Sequence, residues 1–220
     1  MLTLNVIDYD VDNRPDSDDL KRLCAPLSSV LTAELDGAQH YLGVPTEEIL
    51  LAALGRTIAR TIGEGVVAVD VAGHGRSVGW FSTSYPVPVT CVCAEKLSAT
   101  QMLGDVHRTL SALPQPRPAY VTPTQAKPSD IYFSYTPTTA EPSERHVEAD
   151  PPILGHALEL RVYRAAGLLH MDWWYDIRKF TDSTVEEFTE QFPLALIELT
   201  SEAYPPADDH ADMAMASAAG

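Results

Sequence analysis

The sequence is short of cysteine, of positive charge and of long apolar runs, and each deficit excludes a class of protein. Its three cysteines in 220 residues are odd in number and too few for a disulfide framework. No stretch approaches the ~20 consecutive apolar residues of a membrane span, and the first residues lack the basic stretch and apolar core of a secretory signal. These deficits favour a reducing, cytoplasmic location without a membrane partner.

Positive charge is scarce, because 15 lysines and arginines stand against 31 aspartates and glutamates for a net charge of −16. An anionic surface repels phosphate backbones and anionic lipid headgroups. We therefore do not expect nucleic acid as a partner. The 45% apolar and 21% charged residues are ordinary for a globular protein.

Composition divides the chain into three parts. Residues 1–26 form an acidic N-terminal segment, expected to be a solvated loop because its aspartates lack the glycine and the closing glutamate of a calcium loop. Residues 27–203 carry the regular periodicity of a folded unit. Residues 204–220 are small, acidic and aperiodic, and they predict a disordered tail.

Hydrophobic periodicity in the folded unit predicts an α/β fold. Apolar residues recur every four positions over 46–62, which predicts an amphipathic helix with Arg56 and Arg60 on its solvated side. Further helices are predicted over 98–113 and from Ser183, where a capping-box pattern begins. Strands are predicted over 66–71, 78–93, 131–135, 156–164 and 168–176, the last two as a hairpin.

Some local patterns carry finer expectations. Residues 28–34 predict a strand that leads into a short helix over 36–41. Pro86 and Pro88 place their strand at an edge or a bulge of the sheet, because proline cannot donate to a ladder. Pro193 predicts a kink or a break in the last helix.

Two patterns that resemble chemical sites have simpler interpretations. Residues 75–79 match the G-x-S-x-G pattern, but the following residues do not begin the helix that a nucleophile elbow needs. Cys91 and Cys93 lie two apart in a predicted strand, so both should face one side of it and pack in the core. Asp70 is expected on the same strand face as Ala72, with the core as the alternative.

The seven histidines are scattered and show no metal-ligand spacing, so no metal site is predicted. We expect surface or packing roles for His107, His156 and His170. His74 differs because it lies between two glycines at a strand end, where backbone and imidazole can approach a bound group closely. It is the candidate catalytic residue.

The order of several motifs resembles the epimerization domains of nonribosomal peptide synthetases. Residues 48–55 resemble their D-x-L-L-x-A-x-G helix, and 72–76 resemble their E-G-H-G-R loop. Residues 76–88 resemble R-T-V-G-W-F-T-x-x-Y-P-V-P, and 132–135 stand where that family has F-N-Y-L-G. The residues from 168 onward resemble the family's last strand and its T-V-E-x-L helix.

This resemblance implies a fold and a site. The family belongs with the condensation domains, whose chloramphenicol acetyltransferase-like fold places two αβ lobes in a V around a channel. The present chain resembles the C-terminal lobe, a two-layer sandwich in which helices pack on a mixed β-sheet. The resemblance places His74, the candidate catalytic residue, in the family's E-G-H-G-R loop, and it gives channel or motif positions to Gly73, Gly75, Arg76, Trp80 and Tyr85.

The sequence also departs from the family. The N-terminal lobe's H-H-x-x-x-D-G motif has no counterpart, since no two histidines are adjacent. Ala72 stands where epimerization domains have the glutamate taken as their second acid–base group, and one Arg76 serves both of the neighbouring motifs. Residues 114–120 are proline-rich where the family is glycine-rich. These departures predict that the chain is inactive alone.

Three hypotheses for function remain open. The first is a lobe that works with an N-terminal-lobe chain, a synthetase module or a second copy of itself, in peptide or acyl secondary metabolism. The second is a piece of an active epimerization or condensation domain, and the third is a stand-alone binding protein that kept the fold.

We predict no bound cofactor, although a phosphopantetheine-tethered substrate could arrive on a carrier protein. Such carriers are usually acidic, so docking would require a local positive patch. The candidates for that patch are Arg108, Arg117, Arg161 and Arg164.

Overall fold

A computed structural model describes residues 2–72, 84–113, 128–137 and 155–205. Within these residues the chain forms a six-stranded sheet and four α-helices, besides a single 3₁₀ turn at Ser17–Asp19. The strands are β1 (Leu20–Cys24), β2 (Gly65–Ala72), β3 (Ser84–Cys91), β4 (Ile131–Thr136), β5 (Leu158–Ala165) and β6 (Leu168–Asp176). The helices are α1 (Ser29–Leu42), α2 (Thr46–Thr61), α3 (Ala99–Ser111) and α4 (Asp182–Glu202).

The sheet is mixed and has the order β1-β6-β5-β4-β2-β3. Its centre is parallel, because β4 pairs in parallel with both β2 and β5, whereas the remaining pairs are antiparallel. The helices contact one another in a single layer and pack on one face of this sheet. The predicted α/β two-layer sandwich is therefore confirmed. So are the hairpin and the edge position of the strand that carries Pro86 and Pro88.

Side chains alternate between two unlike faces of the sheet. One face contributes the apolar core beneath the helices, with Val69, Phe133, Leu160 and Trp173 at its centre. No helix of the described residues packs on the opposite face, which is rich in charge. We call it the polar face and define it by Arg22, Asp70, Tyr132, Glu159, Arg161, Asp172 and Trp174.

Helix α2 is the centre of the helical layer rather than an amphipathic surface helix. All of its residues from Thr46 to Ala59 are buried, because it lies between β3 and the other three helices. The expectation of a solvated Arg56 is wrong. Its guanidinium is buried, donates to the carbonyls of Val92 and Leu97, and pairs through Nε with Glu198 at 3.0 Å. Long-range pairing to α4 overrides the local pattern.

Helices α1 and α4 differ from three expectations drawn from the local sequence. The strand and short helix predicted over 28–41 are one helix, α1, whose first turn is capped by the Ser28 hydroxyl at 3.1 Å from the Leu31 amide. Helix α4 is capped by Thr181 instead of Ser183, and it continues through Pro193 without a break. Tertiary packing of both helices outweighs these local signals.

The expected core position of Cys91 is confirmed, whereas the expectation that both cysteines share one strand face is wrong. Cys91 is buried at the end of β3, and burial raises its thiol pKa to about 12. Cys93 lies beyond the strand and is half-buried, so the two thiols do not share one strand face.

The acidic N-terminal segment is part of the fold. Thr3 bridges Val66 on β2, Val6 is buried, and β1 adds to the sheet beside β6. Asp8 accepts hydrogen bonds of 2.8 Å from the Thr181 amide and from the Thr184 hydroxyl at the start of α4. Across the described ranges no group of histidine, cysteine, aspartate and glutamate could hold a metal ion, and no helix is long and apolar enough to cross a membrane.

Gly55 sets the distance between α2 and β3. A Cβ at this position would lie 2.6 Å from the Thr90 carbonyl oxygen and 2.7 Å from the Met102 methyl group. We predict that Gly55→Ala lowers the free energy of unfolding by about 1–3 kcal/mol through overpacking, measured by urea denaturation.

Gly104 on α3 provides the matched control, because a Cβ there would have nothing within 4 Å. Gly104→Ala should raise stability by about 0.5–1 kcal/mol, since alanine favours a helix interior over glycine. Equal effects of the two substitutions would contradict the close approach of α2 to β3.

Candidate functional site

Most of the site residues predicted from the sequence lie outside the described residues. These are Gly73, His74, Gly75, Arg76 and Trp80. Tyr85 is described: it lies on β3 opposite Val71 and is buried. The site that the described residues build is instead on the polar face, at the end of β2 that leads toward His74.

The centre of this site is a chain of buried ionic hydrogen bonds across three parallel strands. His156 Nε2 is 3.0 Å from Asp70 Oδ2, and its Nδ1 is 3.4 Å from Glu159 Oε1. Ser129 donates to Asp70 from its amide at 3.1 Å and from its hydroxyl at 2.8 Å. Arg161 donates to Glu159 Oε2 from Nε at 3.1 Å and from Nη2 at 2.8 Å.

Sheet register brings these groups together. Asp70 on β2, Tyr132 on β4 and Glu159 on β5 are directly paired neighbours, so their side chains point to the same face. His156 immediately precedes β5 and packs over the Tyr132 ring with a centroid separation of 5.1 Å. The imidazole therefore spans β4 and reaches a carboxylate on each side of it.

The two acids hold the imidazole in its charged form. Burial lowers the pKa of His156, but its hydrogen bonds with Asp70 and Glu159 outweigh burial, so the pKa is raised. Burial likewise raises the pKa of Asp70, but its hydrogen bonds with His156 and Ser129 outweigh this, so the pKa is lowered. The raised pKa of His156 favours its charged form between the two carboxylates.

This arrangement does not leave His156 able to act in acid–base catalysis. Both nitrogens of His156 face carboxylates, which leaves no nitrogen to take a proton from a substrate. Ser129 donates to Asp70, not to His156, so the order of a serine nucleophile, its base and an orienting acid does not occur. The network joins β2, β4 and β5 instead of activating a nucleophile.

Sequence reasoning missed this network. It gave His156 a surface or packing role and left Asp70 between two strand faces, and it did not pair them across 86 positions. One local signal was present, because Asp70 is an acidic residue within a run of β-branched residues.

The arginines considered for a positive patch are also paired with acids. Arg108 binds Asp105, Arg161 binds Glu159, and Arg164 binds Asp36 at 2.5 Å. Arg117 lies outside the described residues. The described arginines of this set therefore contribute little net positive charge.

The ionic network predicts a specific pH dependence of stability. The raised pKa of His156 stabilises the fold fully below the ordinary histidine pKa, and this contribution is lost as the pH rises through the folded-state pKa. The lowered pKa of Asp70 stabilises the fold above the ordinary aspartate pKa, and this contribution is lost as the pH falls through the folded-state value. Stability from the pair is therefore largest between about pH 4 and 6.5.

We predict that His156→Gln lowers the free energy of unfolding by about 3–5 kcal/mol at pH 6, because it leaves the buried Asp70 carboxylate without a counter-charge. The decline in stability above this pH should be smaller in the variant than in the wild type. Urea denaturation at a series of pH values measures both effects.

His107→Gln is the matched control, because that imidazole is 59% exposed and pairs with Glu48. It should cost less than about 1 kcal/mol. An equally small loss for His156→Gln would show that the network is not what stabilises the polar face.

Comparison with known proteins supports one fold. No family model matches the chain. A polypeptide of the phenolphthiocerol/phthiocerol polyketide synthase of Mycobacterium tuberculosis is 42% identical over 224 residues, covering 86% of this chain. The match spans 15% of that protein.

Two solved structures share the architecture. The epimerization domain from the third module of tyrocidine synthetase B matches with a TM-score of 0.70 at 17% identity, over 91% of this chain and 52% of that one. The condensation domain that mediates chain release from the enacyloxin polyketide synthase matches with a TM-score of 0.52 at 17% identity, over 81% of this chain and 40% of that one. The chain has the fold of such domains over about half of their length.

Proposed function

We propose that this chain, which has the fold of a nonribosomal peptide synthetase condensation or epimerization domain over about half of such a domain, acts as one lobe and needs a second lobe to complete its site. The observation that carries this proposal is the polar face. It is rich in buried charge, and no helix of the described residues packs on it.

We propose that the polar face forms one wall of a site between two lobes. It carries the carboxylates of Asp70, Glu159 and Asp172 on the side away from the helical layer. In the two-lobed domains that the sequence resembles, a channel runs between the lobes. We place the polar face toward that channel, with the C-terminal end of β2 leading to His74 beside it.

Acid–base chemistry would need a group from the second lobe. Epimerisation needs a base on one face of the α-carbon and an acid on the other. Ala72 carries no carboxylate, and His156 is held by Asp70 and Glu159. Catalysis with His74 would therefore need a group that the partner supplies, such as the histidine of an H-H-x-x-x-D-G motif.

The relatives favour acyl or peptidyl chains as substrates. The polyketide synthase and the peptide synthetase domain both carry names of chain-assembly enzymes. We propose that the substrate is a thioester on the phosphopantetheine arm of a carrier protein, in cytoplasmic secondary metabolism. Because the described arginines of the candidate patch are paired with acids, we assign most of the carrier contact to the partner lobe.

A stand-alone binding protein is the second candidate. The His156 network favours this candidate, because both imidazole nitrogens contact carboxylates and neither is free for a reaction.

We predict that the isolated chain shows no epimerase or acyltransferase turnover on carrier-bound aminoacyl or acyl thioesters. Ala72→Glu alone should not create exchange of the α-proton with deuterated solvent, since the opposing group is missing. Mass spectrometry of the product thioester measures both. Turnover by the isolated wild type that His74→Ala abolishes would overturn the proposal.

We further predict that the protein isolated gently from its source cells has a native mass above that of one 24.0 kDa chain. Mass spectrometry of the co-eluting material should find a chain with an H-H-x-x-x-D-G motif. A monomer with no associated lobe would favour the binding protein, and a homodimer would show that a second copy covers the polar face.

A further inference from the structure

Asp172, at the centre of β6 on the polar face, is a buried carboxylate without a strong donor. Its side chain is 2% exposed, and neither oxygen accepts a hydrogen bond. Arg22 Nη1 lies 3.7 Å from Oδ2, which exceeds hydrogen-bond length. The Cys24 thiol is opposite in the ladder but is a weak donor, and its pKa is raised by burial and then by Asp172. A group that donates N–H to Asp172 is therefore missing.

Trp174 has a buried hydrogen-bond donor that lacks an acceptor, its indole Nε1–H. The guanidinium groups of Arg22 and Arg161 lie 5.5 Å and 5.9 Å from the centre of its ring. These cations position the indole over the sheet but cannot accept its proton.

The unpaired carboxylate of Asp172 and the unpaired indole N–H of Trp174 lie on the same face of β6. Asp172 and Trp174 are two positions apart on β6, so they project from the same face about 7 Å apart along the strand. A trans amide points its N–H and its C=O in opposite directions. It therefore has the polarity to join the unpaired acceptor of Asp172 and the unpaired donor of Trp174, with hydrogen bonds of about 2.9 Å at each end.

We infer that Asp172 and Trp174 form a subsite for a secondary amide, which donates its N–H to Asp172 and accepts from Trp174 Nε1. An ammonium ion would satisfy Asp172 but leave Trp174 unpaired, and a carboxylate would be repelled by Asp172. Of these three groups, only the amide pairs with both side chains.

Arg22 lies beside this subsite. Its side chain is 34% exposed, 3.7 Å from the Asp172 carboxylate and 5.5 Å from the centre of the Trp174 ring. Binding of the amide as proposed requires Arg22 to turn outward. Arg161 stays in place because Glu159 holds it through two hydrogen bonds.

The source of the amide rests on the proposed function, because acyl chains and carrier arms both contain secondary amides. An N-acetyl amino-acid methylamide represents a peptidyl chain, and pantetheine represents the carrier arm. Either ligand can be tested on the isolated chain without turnover, so failure here is distinguishable from failure of the proposed function.

The test is a titration of the ¹⁵N-labelled chain with each amide, followed through the Trp174 indole N–H and the backbone amides of β6. We expect saturable shifts of these resonances with at least one amide. Asp172→Asn should weaken binding at least tenfold, because a charge-assisted bond is lost, and Trp174→Phe should do the same through loss of the donor.

Trp173→Phe is the matched control, because Trp173 lies on the core face of the same strand and its Nε1 is also unpaired. It should leave amide binding unchanged. Unshifted Trp174 resonances with both amides would overturn the inference and indicate a water bridge between Asp172 and Arg22. Equal shifts with methylammonium would overturn the amide assignment.

Discussion

One buried positive charge determines what the polar face can do. The His156 imidazolium lies between acids from β2 and β5, and it crosses the Tyr132 ring of the strand between them. Removing such charges from water is unfavourable, and their mutual contacts offset that cost if every donor meets an acceptor. The parallel centre of the sheet is thus fixed by electrostatics on one face and by apolar packing on the other.

The sequence was sufficient for the local elements whose periodicity is strong. Strands β2 to β6, the hairpin and three of the helices follow from alternation and from four-residue repeats, and the prolines of β3 locate an edge. Strand β1 was not predicted, because it lies in the acidic segment expected to be a loop. The errors occur where distant contacts outweigh local pattern. Arg56 has the spacing of a surface residue, but its partners come from the β3–α3 connection and from α4. Residues 28–34 have strand-like composition, but packing against α4 favours a helix.

The polar face was less predictable than the fold. Asp70 and His156 meet through the order of strands, and a single sequence does not specify which strands become neighbours. The resemblance to synthetase domains gave the architecture and drew attention to the residues around His74. It gave no role to Asp70, His156, Asp172 or Trp174, because the motifs that carry the resemblance assign no chemistry to these positions.

A fold shared with half of a larger domain raises the question of how its charged face is covered. The closed network, the lack of a carboxylate at Ala72 and the pairing of the described arginines all favour a division of labour. In the proposed division this chain would supply the ordered polar face, and a second lobe would supply the reactive group and the carrier contact.

The unequal edges of the sheet restrict how copies of the chain can join. At β3 the two prolines have no backbone N–H, so an incoming strand would find no donors at Pro86 and Pro88. At β1 a five-residue strand presents its outer edge. Growth of a continuous ribbon needs both edges to accept strands, whereas pairing β1 with β1 about a two-fold axis uses both copies' open edges and stops. If copies of this chain extend the sheet, the unequal edges favour a closed pair over a fibre.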